Sequence, residues 1–96
     1  MADLRFSDPA LADLRDIRRY IAEDDPTAAI RFIADLVTHC ERLAAMPEMG
    51  RKRPELGNGY RGLPFRRYLI VYRIKRGAVE VPRVVHGARN FRLLFR

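Results

Sequence analysis

The spacing of apolar residues changes once along this 96-residue chain, and that change decides what it can fold into. Leu11, Leu14, Ile17 and Ile21 recur every three or four residues, as do Ala29, Phe32, Ile33, Leu36, Val37, Cys40, Leu43 and Ala44. That is the period of one helix face. From Tyr68 the period is two: Tyr68, Ile70, Tyr72 and Ile74 alternate with Leu69, Val71 and Arg73. Strands alternate in this way, and a helix pattern cannot serve as a strand. Helices therefore come first and strands second. Such a chain packs its helices on one face of an antiparallel sheet, an α+β architecture.

The breakers mark the boundaries. Leu4–Phe6 reads as a first strand, stopped by Ser7-Asp8-Pro9, a helix start with a capping side chain and a proline in the first turn. Asp24-Asp25-Pro26 repeats the signal, so two helices meet in a tight hairpin. Pro47, Gly50, Pro54, Gly57 and Gly59 make residues 46–59 a loop, and it carries Arg51-Lys52-Arg53. A short strand over 60–65 and a strong one over 68–74 follow, and Lys75-Arg76-Gly77 turns. Val79, Val81, Arg83 and Val85 continue as a last strand. Pro82 cannot donate to a ladder, which implies a bulge or an edge there. The apolar tail, Phe91 to Phe95, is expected to dock on the body of a single domain spanning residues 1–96.

Charge divides at the same place as period. Residues 1–50 hold six Lys+Arg against ten Asp+Glu, a net of −4. Residues 51–96 hold thirteen against two, a net of +11. One surface should seek anions, either phosphates or an acidic protein. No apolar run reaches the roughly 20 residues of a membrane span, and the start of the chain lacks signal-peptide character. Cys40 is the single cysteine. A cytoplasmic protein without cofactor or membrane partner is the expectation.

Candidate chemistry is sparse. His39 and Cys40 are helix neighbours and do not face one metal, and His86 is distant, so no metal site is expected. Ser7 is absorbed by capping. Acid–base cleavage of RNA needs a base, cations for phosphate and a proton donor. His86 could be the base; Arg61, Arg73 and Arg83 could hold phosphate if they share a sheet face. Tyr60, Tyr68 or Tyr72 could orient or donate.

The segments LRFSDPALADLRDIRRYIAEDDPTAAIRFIADL, MPEMGRKRPEL, YRGLPFRRYLIVYRI and RVVHGARN, in this order, resemble the ParE branch of the RelE/ParE toxin superfamily of bacterial type II toxin–antitoxin systems. The resemblance covers nearly the whole chain. It implies a two-layer β-α-α-β-β-β fold, an antiparallel sheet packed against a helical hairpin, with the first strand beside the last. It implies a toxin neutralised by a cognate antitoxin in a hetero-oligomer. ParE-type members are generally inhibitors of DNA gyrase that block replication; RelE-type members cut mRNA on the ribosome.

Ribonuclease members typically carry a tyrosine or a His–Tyr pair at the C-terminal end. Here no tyrosine follows His86, so the resemblance favours gyrase inhibition without catalysis. If the chain is a ribonuclease after all, His86, Arg61 and Arg83 are the candidates. As a gyrase inhibitor it would instead meet its target through Arg51, Lys52, Arg53, Arg66, Arg67, Arg89 and Arg92. An amphipathic antitoxin helix would use an apolar pool of Leu14, Ile17, Ile21, Phe32, Ile33 and Leu36. Most of that pool is expected to be core, with about a third reaching the partner, given the width of the stripe.

Overall fold

The computed structural model describes residues 3–87. Strand β1 (Asp3–Phe6) leads into helix α1 (Asp8–Ala22), which turns back into α2 (Pro26–Ala45). Strands β2 (Arg51–Lys52), β3 (Tyr60–Phe65), β4 (Tyr68–Lys75) and β5 (Ala78–His86) follow, with a 3-10 turn at Pro54–Leu56. The sheet order is β1-β5-β4-β3-β2. Its pairs are antiparallel except at one edge, where β1 runs parallel to β5. The parallel pair follows from connectivity, because two whole helices separate β1 from the strand it joins.

Both helix starts form as the sequence dictates. The Ser7 hydroxyl accepts from Ala10 N–H at 3.0 Å, and the Asp25 carboxylate accepts from Ala28 N–H at 3.1 Å. Ser7 also donates to the Pro82 carbonyl at 2.8 Å, which ties the cap of α1 to β5. One core fills the space between the layers: Leu14 and Ile17 from α1, Leu36, Cys40 and Leu43 from α2, and Ile70, Tyr72, Val79, Val81 and Val84 from the sheet. A second, smaller cluster of Leu56, Leu69, Val71 and Val85 lies on the opposite face.

Pro82 sits at a bulge. Val71 pairs with Arg83 and Arg73 with Glu80, so Val81 and Pro82 together oppose Tyr72. The extra residue reverses the alternation of β5. Val79 and Val81 face the helices as expected, but past the bulge Val84 takes that side and Val85 joins the opposite cluster. The even run Val79, Val81, Arg83, Val85 read from sequence is thus broken by the proline, which cannot donate its share of the ladder.

β1 ends before β5 does, and among the described residues the backbone of 82–86 has no strand neighbour on that side. Asp13 of α1 fills the gap. Its carboxylate accepts from Val84 N–H at 2.9 Å and from two guanidinium nitrogens of Arg83 at 2.7 and 2.9 Å. The loop over 46–59 is also more ordered than its breakers suggest, since it contributes β2 and the 3-10 turn. The expected docking of the apolar tail lies outside the described residues.

Candidate functional site

The residues proposed for phosphate chemistry are not brought together. Arg61 is in register with Tyr72 and Arg83 with Val71, and Tyr72 and Val71 point to opposite faces. Arg83 spends its guanidinium on Asp13, and this hydrogen bond holds it above its usual range. Arg61 donates to the Gly50 carbonyl at 2.8 Å and more weakly to Glu48 at 3.4 Å. Arg73 pairs with Glu80 at 3.0 Å and lies 5.4 Å from the centre of the Tyr60 ring. Along β3, Arg61 is four residues, roughly 13 Å, from the end where His86 lies.

His86 does have a tyrosine beside it. The register of β4 on β5 places Tyr68 opposite His86, with ring centroids 5.5 Å apart and nearly perpendicular. Absence of a tyrosine after His86 therefore does not leave the histidine without one; the partner lies eighteen residues earlier, across a strand pair. Both line a cleft of about 470 Å³ between α1 and the ends of β4 and β5, together with Asp13, Tyr20, Arg67 and Arg83. Burial, with a smaller contribution from Tyr20, pushes the Tyr68 phenol above its usual range. It stays protonated at neutral pH and can donate.

The cations proposed for the target form two groups. Arg51 and Lys52 are exposed in β2, and Arg53 is half-buried and paired with Glu55 at 2.9 Å. Arg66 and Arg67 make the β3–β4 turn at the other end of the sheet. Arg66 takes a left-handed backbone (φ 53°), is bonded to Asp35 at 3.1 Å and stacks 5.0 Å from the rings of both Phe32 and Phe65. These contacts hold a conformation that costs a non-glycine residue roughly 1–2 kcal/mol. Arg89 and Arg92 lie outside the described residues.

The apolar pool on the helices is mostly interior. Leu14, Ile17 and Leu36 are buried core; Ile21, Phe32 and Ile33 are half-buried and packed against it. Tyr20 and Ile30, absent from the pool, are about 70% exposed. Neither breaks the helical pattern, so only the packing reveals them. Among the described residues, no group of three His, Cys, Asp or Glu could hold a metal ion, and no helix is long and apolar enough to cross a membrane.

Among the described residues, two helices on a five-stranded sheet, with cations at both ends of its hairpin, define a small two-layer α+β protein with a basic surface. Residues 4–91 match the family model described as the ParE toxin of type II toxin–antitoxin system, parDE. Toxin RelE2 of Caulobacter vibrioides is 37% identical over 89 residues, covering 93% of this chain and 99% of the relative. Putative toxin Y4kP of Sinorhizobium fredii is 37% identical over 88 residues, covering 92% and 91%. Among solved structures, the chromosomal ParDE system from P. aeruginosa superposes with a TM-score of 0.76 at 25% identity, covering 90% of this chain and 96% of that one. The chain belongs to the ParE toxin family of type II toxin–antitoxin systems.

Proposed function

We propose that this toxin acts by holding its target rather than by chemistry on it, that the target is DNA gyrase, and that a cognate antitoxin neutralises it. One observation carries the non-catalytic reading: Arg61 and Arg83, the cations a cleavage site would aim at phosphate, are committed to Gly50 and Asp13. Gyrase follows from the likeness to the ParE branch. The basic segments Arg51–Arg53 and Arg66–Arg67, extended by Arg89 and Arg92, would steer the encounter. Ile21, Phe32 and Ile33, the half-exposed part of the apolar pool, would meet an antitoxin helix, with Tyr20 and Ile30 at its margin.

The test is a supercoiling assay with purified gyrase, alongside pulse labelling of DNA and protein synthesis after induction without antitoxin. Inhibited supercoiling and an early fall in DNA synthesis are expected. An early fall in protein synthesis with gyrase unaffected would overturn the reading.

The Tyr68–His86 pair favours a second reading, an RNA-cleaving toxin of the RelE type. A protonated tyrosine beside a histidine is a plausible acid–base couple. His86→Ala separates the two. If killing is lost while fold and antitoxin binding survive, the enzyme reading gains; unchanged killing removes His86 as a base.

A further inference from the structure

The segment that carries Arg51 and Lys52 is held in an unusual way. A strand of two residues is too short to order itself. Yet the backbone just before it is gripped at every polar atom of one residue. Gly50 N–H donates to the Tyr72 hydroxyl at 2.8 Å, and the Gly50 carbonyl accepts from Arg61 at 2.8 Å. The same hydroxyl donates to the Pro47 carbonyl at 2.7 Å. Tyr72 is fully buried, and a Cβ at position 50 would come within 2.5 Å of its ring and oxygen. Only glycine lets the chain pass this close. Tyr72 and Arg61 are cross-strand partners on β4 and β3, so the rigid centre of the sheet clamps the loop.

The next two residues, Arg51 and Lys52, are exposed, and neither forms an ion pair among the described residues. Arg53, by contrast, is neutralised by Glu55. The clamp therefore ends where the available charge begins. A basic segment fixed before binding loses less conformational freedom when it meets an anionic surface.

We propose that Tyr72 and Arg61 are positioning residues of the target-binding surface: the Tyr72 hydroxyl latches residues 47–50, so that Arg51 and Lys52 are presented preformed. This rests on the reading that the Arg51–Lys52 segment meets the target. It assigns the loop's order to a side chain that the target never touches.

Tyr72→Phe keeps the ring and removes the latch. Limited trypsinolysis of the folded chain reports the loop, since cleavage after Arg51 and Lys52 requires that it open. A rise of at least about tenfold at these two bonds is expected. Val79→Ala, buried in the same core but away from the loop, is the control for lost stability, compared at temperatures equally far below each melting point. Growth arrest at matched expression reports function whatever the target, and a several-fold loss of potency is expected for Tyr72→Phe. If Tyr72→Phe does not fold, Arg61→Met releases the Gly50 carbonyl instead and should give the same pair of effects.

Cleavage unchanged, or raised as much by the control, would overturn the latch. Faster cleavage with full potency would overturn the positioning role, as would full potency of a double reversal of Arg51 and Lys52 to Glu. A chain that arrests growth without inhibiting supercoiling would remove gyrase and leave the latch standing.

Discussion

Tyr68 and Tyr72 lie on the helix-facing side of the same strand with Ile70 between them, with the same chemistry and opposite circumstances. Tyr72 is fully enclosed, and both functions of its hydroxyl are used within the chain. Tyr68 is half-buried at the rim of a cleft, beside His86 and edge-on to Phe32. Burial pushes both phenols above their usual range; at Tyr72 the Gly50 hydrogen bond and Arg61 act in the opposite direction. A residue type thus says little about role. One tyrosine orders the backbone around it, and the other lies at the rim of a cleft that a partner or substrate can enter.

Truncation should divide them most sharply. Tyr72→Ala removes a core ring and orphans two backbone groups, a loss of about 3–5 kcal/mol that a small domain barely survives. Tyr68→Ala should cost less, about 1–2 kcal/mol, since its ring is only partly buried. Urea denaturation of the two variants checks this, and equal losses would break the contrast. Asp13 is the stabilising group at the Tyr68 end. Asp13→Ala leaves the Arg83 guanidinium and Val84 N–H unmatched and should cost about 2 kcal/mol, seen in the same assay.

Removing only the hydroxyls is gentler. Tyr72→Phe should cost about 1–2 kcal/mol and Tyr68→Phe less than about 0.5 kcal/mol in thermal melts. Under the RNA-cleaving reading the order reverses for killing, with Tyr68→Phe the more damaging.

Alkaline pH gives the smallest effect. An unfolded tyrosine loses its proton near pH 10. The folded phenols lose theirs later, so their contribution is complete below about pH 10 and fades as pH rises through the folded values. Cys40, pushed up to about 12 by burial, adds to the same decline from about pH 8.5 upward. The urea midpoint should therefore fall between about pH 9 and 12. Tyr72→Phe and Tyr68→Phe should each flatten that fall, since burial raises both phenols; a variant that leaves the fall unchanged would show that its tyrosine is not part of it.

The helices and strands were legible because their signals are local. Ser7 and Asp25 cap where they stand, and the spacing of Leu14 and Ile17, or of Ile70 and Tyr72, shows the buried face without any partner. The cleft was not legible, because it depends on register. The bulge at Pro82 could be foreseen from the missing N–H, but its consequence, moving His86 to the side of Tyr68, needs the pairing of two strands. The order of the 46–59 loop was hidden for a similar reason. What holds Gly50 is a hydroxyl twenty-two residues away. Nor could the sequence show that Arg83 is spent, since Asp13 lies seventy residues from it.

The parallel pairing of β1 with β5 bears on how the protein is made. Strand β1 has its strand neighbour in residues 78–81, seventy-five residues further along the chain. Synthesis runs from the N-terminus at about 5–20 residues per second, so β1 and both helices wait for seconds before the sheet can close. A nascent chain stopped before β5 would lack the strand that joins β1 to β4. Its Ser7 cap would have no Pro82 to bind, and Asp13 no Arg83. The sheet therefore closes only once β5 has been made, after both helices and the other strands.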